Sequence, residues 1–334
     1  MTRQCDFWGK SGIGQLLMVG IEGVDLDNFT IKLIKEFKVS KFIIFSRNTT
    51  AGPKKLLNLC RNIKKICSDS GLTSLIAVDQ EGGPVRRLRP PLFMDMPTQK
   101  EIATSNIPQK KIDKLVKNCS DLLKSLQIDI NLAPVLDLPL NGINHVLKDR
   151  CMGNTLQDIV TNGSYYIKMM QEKSIKCVAK HFPGIGRVNL DPHLDLPVVF
   201  EEKEQILKEM KPFEAAVESG VFGIMTSHVI YEKIDPNIPA TFSYLIATEL
   251  LRNHLSFKGP LFSDDLEMKG ILKSASIGEA AIKTLNAGHD ILLVCNQRKN
   301  ILKVLECLKK AYRVGRIKKE RIEEAIERQY LSRV

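Results

Sequence analysis

KEQILKEMKPFEAAVESGVFGIMTSH, residues 203–228, holds in one copy the unit from which the whole chain is built. Its first part mixes charged and apolar residues with a helical period. A glycine breaks that pattern. The apolar run 221–226 follows with strand character and ends at the polar pair Ser227-His228. Working outward, the same succession recurs along the sequence. Apolar, β-rich runs fall at 16–21, 41–45, 74–79, 128–133, 175–180, 221–226, 259–264 and 290–295. Amphipathic stretches such as LDNFTIKLIKEF and PKKLLNLCRNIKKICSDSG lie between them. Eight strands alternating with helices predict an α/β fold of the TIM-like (β/α)8 barrel type rather than an open sheet. No Pro/Gly/Ser-rich linker or low-complexity segment divides the chain. A single barrel domain over residues 1–334 is therefore expected, with charged helices from Arg298 onward closing it.

Composition narrows the function classes. The chain has 334 residues, 43% hydrophobic and only 6% aromatic, which suits an aliphatic core of parallel strands and helices. The net charge is +11, but Lys110, Lys111, Lys114 and Lys117 sit in a helical pattern and read as a solvated face. No nucleic-acid-binding motif accompanies them, so no nucleic-acid partner is expected. The charge can still draw in anionic substrates. The 8 cysteines form no C-x-x-C pair, which points to a reduced compartment. The opening MTRQCDFWGKSG is polar, and the apolar stretch from Leu16 to Ile21 is too short for a signal core. No segment approaches a membrane span. A cytoplasmic monomer with no membrane partner is the expectation.

In a barrel of this kind the active site lies at the C-terminal ends of the strands. Those ends read Ser46-Arg47, Asp79-Gln80-Glu81, Asn131, Lys180-His181, Ser227-His228, Asp264-Asp265 and Asn296. Helix caps and turns explain one Asp or Ser at a time. They explain poorly why Lys, His and paired carboxylates stand in the same places.

Three constellations carry chemistry. In VDQEGGPVRRLRP, residues 78–90, a carboxylate ends a strand, two glycines permit a sharp turn, and Arg86, Arg87 and Arg89 follow. Asp79 can accept two sugar hydroxyls and an Arg fork can grip another polar group; an internal salt bridge of Asp79 or Glu81 with one Arg is the plainer account. In AKHFPGIGRVNLDPHLDLP, residues 179–197, Lys180 and His181 end a strand and a Pro/Gly-rich loop delivers Asp191-Pro192-His193. Proline holds the residue before it extended, so Asp191 and His193 point the same way. A carboxylate beside an imidazole raises its pKa and fixes its tautomer, giving a proton donor or acceptor near neutral pH. In GPLFSDDLEMKGI, residues 259–271, Asp264 emerges at a strand tip, where a carboxylate can attack an anomeric carbon. Asp265 can instead cap the next helix, and the sequence leaves open which of the two is structural. It also leaves open whether His228 contacts substrate or a loop carbonyl, and whether Asp137 binds ligand or steadies a loop.

At these residues the sequence resembles the family 3 glycoside hydrolases, specifically the single-domain bacterial β-N-acetylglucosaminidases of peptidoglycan recycling. GQLLMVG, FIIFSRNT, VDQEGGPVRRLR, NLAPVLDL, AKHFPGIG with DPH, MTSHVIY, PATFS, FSDDLEMKG and AGHDILLVC carry the match, in order, over nearly the whole chain. The resemblance implies Asp264 as nucleophile and His193 as general acid/base, paired with Asp191. It implies that Asp79, Arg87, Arg150, Lys180 and His181 hold the terminal N-acetylglucosamine. It implies no metal and no organic cofactor. The implied substrate is an N-acetylglucosaminyl muropeptide, cleaved before 1,6-anhydro-N-acetylmuramic acid. Three positions depart from the family pattern: Ile185 replaces a His, Pro192 stands inside the dyad where Ser is usual, and Pro84 follows the double glycine where Arg is frequent.

Rival readings keep the barrel and change the chemistry. Asp264 and Asp265 could support substrate-assisted catalysis through the acetamido group. Phosphate could replace water, making a β-N-acetylglucosaminide phosphorylase. A catalytically silent sugar-binding barrel is a third, against which the intact Asp191, His193 and Asp264 argue. A metal-dependent hydrolase fits poorly, because the 6 histidines show no H-x-H or H-E-x-x-H spacing.

Overall fold

The computed structural model describes residues 11–140, 147–188 and 196–331. Eight parallel strands close into a barrel: β1 Leu17–Gly20, β2 Lys41–Ile44, β3 Leu75–Val78, β4 Ile130–Asn131, β5 Lys176–Phe182, β6 Gly223–Thr226, β7 Leu261–Asp265 and β8 Ile291–Val294. They follow one another around the ring in chain order. β8 returns to β1 with Leu292 opposite Leu17 and Val294 opposite Val19. Each strand falls on one of the runs marked by the sequence. Six stop inside the expected bounds; β5 continues two residues further and β7 one further.

Those two extensions have a common cause. The register of β5 against β6 shifts between Lys180 and Phe182, and that of β7 against β8 shifts between Phe262 and Asp265. An irregularity of this kind breaks the strict alternation of side chains. Adjacent residues at the barrel mouth, Lys180 with His181 and Asp264 with Asp265, thereby line one cavity.

Below the mouth the alternation is regular and divides the core in two. Met18, Ile43, Ala77, Leu293 and Phe262 fill the barrel interior. Their strand neighbours Leu17, Val19, Phe42, Ile44, Leu292 and Val294 face outward into a second apolar layer under the helices. The helices supply the matching face. In Pro53–Asp69 a proline opens the helix and Leu56, Leu59, Cys60, Ile63 and Cys67 are buried at helical spacing. In Leu156–Glu172 a capping box starts the helix: Asp158 N donates to Thr155 Oγ1 at 3.1 Å and Thr155 N donates to Asp158 Oδ2 at 3.2 Å. At the opposite end of the barrel from the mouth, the final helix Lys319–Leu331 is fastened by Arg321, whose Nη2 lies 2.7 Å from buried Asp290 Oδ1. No helix among the described residues is long and apolar enough to cross a membrane.

Candidate active site

The mouth of the barrel opens into a cavity of about 390 Å³. That is at the small end for ligand sites, which run from ~300 to 1,000 Å³, and suits one sugar ring better than several. Six residues singled out by the sequence line it together: Asp79, Arg87, Arg150, Lys180, His181 and Asp264. Asp191 and His193 lie outside the described residues.

One wall is a lattice of charges. The double-glycine turn forms as expected, with φ of 97° at Gly82 and 55° at Gly83. It folds residues Gln80–Gly82 back against Val85–Arg86 and brings Arg87 over the strand tip. Arg87 Nη2 donates to Asp79 Oδ2 at 3.0 Å, and Lys180 Nζ donates to Asp79 Oδ1 at 2.8 Å. Lys180 Nζ also lies 2.7 Å from Glu81 Oε1. Glu81 in turn receives a two-pronged bond from Arg150. Burial alone would raise the Asp79 carboxyl, but the Lys180 and Arg87 charges outweigh it and hold the group well below the usual carboxylate range. Glu81 is lowered by the same balance, with Lys180 and Arg150 as its cations. Arg87 Nε is buried with no hydrogen-bond partner among the described residues. Phe45 completes the rim, with the Arg47 guanidinium 4.6 Å and that of Arg87 5.5 Å from its ring centre.

The facing wall comes from β5, β6 and β7. His181 is fixed from behind by fully buried Asp137. That carboxylate accepts the His181 backbone N–H at 3.2 Å and the Ile185 N–H at 2.9 Å, and lies 2.7 Å from His181 Nδ1. Asp137 is thus the loop-stabilising acceptor of the two roles open to it. Asp264 and Asp265 are pushed apart in character. Burial would raise Asp264, but His228, His181 and the Asp265 N–H prevail and lower it. Burial, with the Glu267 and Asp264 charges added, pushes Asp265 up to about 7 despite the N–H of Glu267. Adjacent carboxyls with pKa values driven apart divide their roles. Asp264 is the one kept ionised. Asp265 serves the turn, accepting from Glu267 N at 3.1 Å and from Asn296 Nδ2 at 3.0 Å, while Met268 is the residue that caps the following helix.

His228 lines the cavity and bonds a backbone carbonyl, that of Asp265 at the end of β7 and not one in a loop. Glu81 was legible only as one candidate for an internal salt bridge. The signal for more was its position two residues past Asp79 in extended chain, which puts both carboxylates on one side. Among the described residues, no three His, Cys, Asp or Glu side chains converge as a metal site.

A cavity in which the ionised Asp264 carboxylate faces a lattice of paired charges suits glycosyl transfer, and the relatives of the chain agree. A β-hexosaminidase of Idiomarina loihiensis is 35% identical over 293 residues, covering 87% of this chain and 86% of its own length. A glycoside hydrolase family 3 β-N-acetylglucosaminidase from Paenibacillus sp. str. FPU-7 superposes with a TM-score of 0.91 at 32% identity. It covers 97% of this chain, which spans 61% of that longer one. A β-N-acetylhexosaminidase from Beutenbergia cavernae gives a TM-score of 0.87 at 25% identity over 96% of both chains. The family model described as glycosyl hydrolase family 3 N terminal domain matches residues 10–330, the whole of the barrel, and this chain belongs to that family of glycoside hydrolases.

Proposed function

We propose that the protein is a retaining β-N-acetylhexosaminidase that releases a non-reducing terminal β-linked N-acetylglucosamine. Relatives bearing that activity in their names, aligned over most of the chain, support the substrate class. The observation that carries the mechanism is the ionised Asp264 carboxylate in the same cavity as the Asp79–Lys180–Glu81–Arg150 lattice. The lattice orients the sugar through its hydroxyls. Asp264 attacks the anomeric carbon, the glycosidic C–O bond breaks, and His193 gives its proton to the departing oxygen. Asp191 holds and polarises His193. Neutral His193 then takes a proton from water, which displaces Asp264 from the sugar. The natural aglycone is a 1,6-anhydro-muropeptide, handled in the cytoplasm by a monomeric, single-barrel enzyme. The test has two arms. Trapping with a 2-fluoro sugar followed by peptide mapping is expected to find an ester on Asp264. Unimpaired turnover by Asp264→Ala would overturn the mechanism. Incubation with β-N-acetylglucosaminyl-anhydromuramic acid should yield unphosphorylated N-acetylglucosamine even in phosphate buffer. A sugar phosphate would make the enzyme a phosphorylase instead, and binding without any product would make it a silent receptor.

A further inference from the structure

We propose that His228 is a positioning residue, held as an imidazolium cation against the tip of β7 so that Asp264 stays ionised and fixed in place. The proposal rests on the reading of Asp264 as the attacking carboxylate and adds to it a residue that works through that group.

The argument is a count of protons. His228 is 1% exposed, at the exit of β6. Its Nε2 lies 3.0 Å from the backbone oxygen of Asp265. A carbonyl oxygen only accepts, so Nε2 carries a proton. Its Nδ1 lies 2.6 Å from Thr241 Oγ1. A hydroxyl has one proton to give, and that of Thr241 goes to the Ser227 carbonyl at 2.9 Å. Thr241 therefore accepts from His228, and Nδ1 carries a proton too. An imidazole with both nitrogens protonated is a cation.

His289 is a control within the same fold. It is fully buried as well, and its Nδ1 lies 3.1 Å from the Thr284 carbonyl. Its Nε2 meets Thr226 Oγ1 at 2.8 Å, a hydroxyl that can turn its proton toward the ring. One N–H satisfies that site. Burial and the charges of Arg252, Arg321 and His228 push His289 down to about 3, and the ring is neutral. What separates the two histidines is the direction in which a threonine proton points.

A buried cation needs a counter-charge. Among the described residues, the titratable groups that share this part of the barrel mouth with His228 include Asp264 and Asp265 on β7 and Lys180 and His181 on β5, with His289 ahead of β8. Of these Asp264 is the carboxylate held ionised. The mechanical link runs through Asp265: its carbonyl accepts from His228, and its N–H donates to Asp264 Oδ1 at 2.8 Å. The ring thus pins the irregular stretch of β7 and sets a positive charge near its carboxylate. That charge favours the ionised form of Asp264 before attack and its departure from the sugar in the second step.

The test uses the full chain labelled with ¹⁵N. Long-range ¹H–¹⁵N spectra of the imidazole rings, with His228 assigned through backbone correlations, are recorded from about pH 5.5 to 8.5. Both His228 nitrogens are expected at the imidazolium position throughout. A neutral pattern near pH 7, with one bare nitrogen, overturns the proposal. The second arm is His228→Gln, which keeps an amide donor and removes the charge. The acidic limb of kcat/KM on an aryl N-acetylglucosaminide is expected to move up by about one pH unit, with kcat down about tenfold. A uniform loss with the limb unmoved marks a merely structural residue and overturns the positioning role. If that variant fails to fold, the wild-type spectra decide. Full turnover by Asp264→Asn would sink the reading of Asp264 and leave the two-proton pattern to be judged separately.

Discussion

Arg150 meets Glu81 through two parallel hydrogen bonds, Nε to Oε2 at 2.8 Å and Nη2 to Oε1 at 2.9 Å, with the Glu81 side chain 1% exposed. A fork on a fork is the strongest form of this contact, and its geometry is particular to arginine. Glu81 also faces Lys180, so it is the shared counter-charge of two cations. Glu81→Gln leaves both cations short of a partner and should cost about 3–5 kcal/mol in urea unfolding. Arg150→Lys keeps the charge and loses the fork. On the proposed reading of the lattice as the sugar's binding wall, its expected signature is a KM raised about tenfold with a smaller change in kcat. An unchanged KM would show that the Arg150–Glu81 pair stands apart from sugar binding.

Asp137 is fully buried and gathers three N–H groups around His181. With Nδ1–H directed at that carboxylate, Nε2 is the ring atom left to meet a ligand. Asp137→Asn preserves shape and removes the charge that fixes the tautomer. The expected result is a fall in kcat/KM of about 10–100-fold, the worth of one hydrogen bond to a charged group. Asn in place of Asp with full activity would show that the ring orientation does not depend on that charge.

The strands were readable because each is an apolar run bounded by turn residues, and that depends on local sequence alone. The polar exits were readable for the same reason. The irregular registers at Lys180–Phe182 and Phe262–Asp265 were not, because a shift exists only relative to a neighbouring strand. Nor were contacts between distant positions: Asp137 with His181 spans 44 residues, and Arg150 with Glu81 spans 69. The division of labour between Asp264 and Asp265 escaped for a related reason. It is set by burial together with His228 and His181, whose proximity comes from the closed barrel and not from spacing in the chain.

Asp290, at the barrel end away from the cavity, shows the same kind of contact serving stability. Fully buried, it accepts from Arg252 Nη2 at 2.5 Å, Arg321 Nη2 at 2.7 Å and the backbone of Leu261 at 2.9 Å, with Arg328 Nη1 at 3.4 Å. Burial already lowers Arg252 to about 10 against the pull of Asp290. Asp290→Ala would leave that guanidinium unpaired in the interior and release the final helix. A loss of about 3–5 kcal/mol is expected in denaturant unfolding. Arg328→Ala, at the edge of the cluster, should cost less than about 1 kcal/mol. Equal losses would mean that the cluster is not organised around Asp290.

Lys41 offers the opposite sign of effect. It is 1% exposed at the start of β2, and its Nζ donates to the Gln15 carbonyl at 2.7 Å. Burial pushes its ammonium down to about 7 from an ordinary value of 10.5, while Cys67 pulls weakly the other way. Between those two values the unfolded chain holds a proton that the folded one has released. Stability from this group therefore rises with pH across the window, and the penalty is complete below about pH 7. Lys41→Met fills similar volume and removes the penalty. The variant should unfold later than the wild type near pH 6, by about 2–5 kcal/mol, and the gap should close as the pH approaches about 10. Urea unfolding at both pH values checks this. A gap that widens with pH would mean that the ammonium is stabilised where it sits, and that the barrel tolerates a charge inside its strand layer.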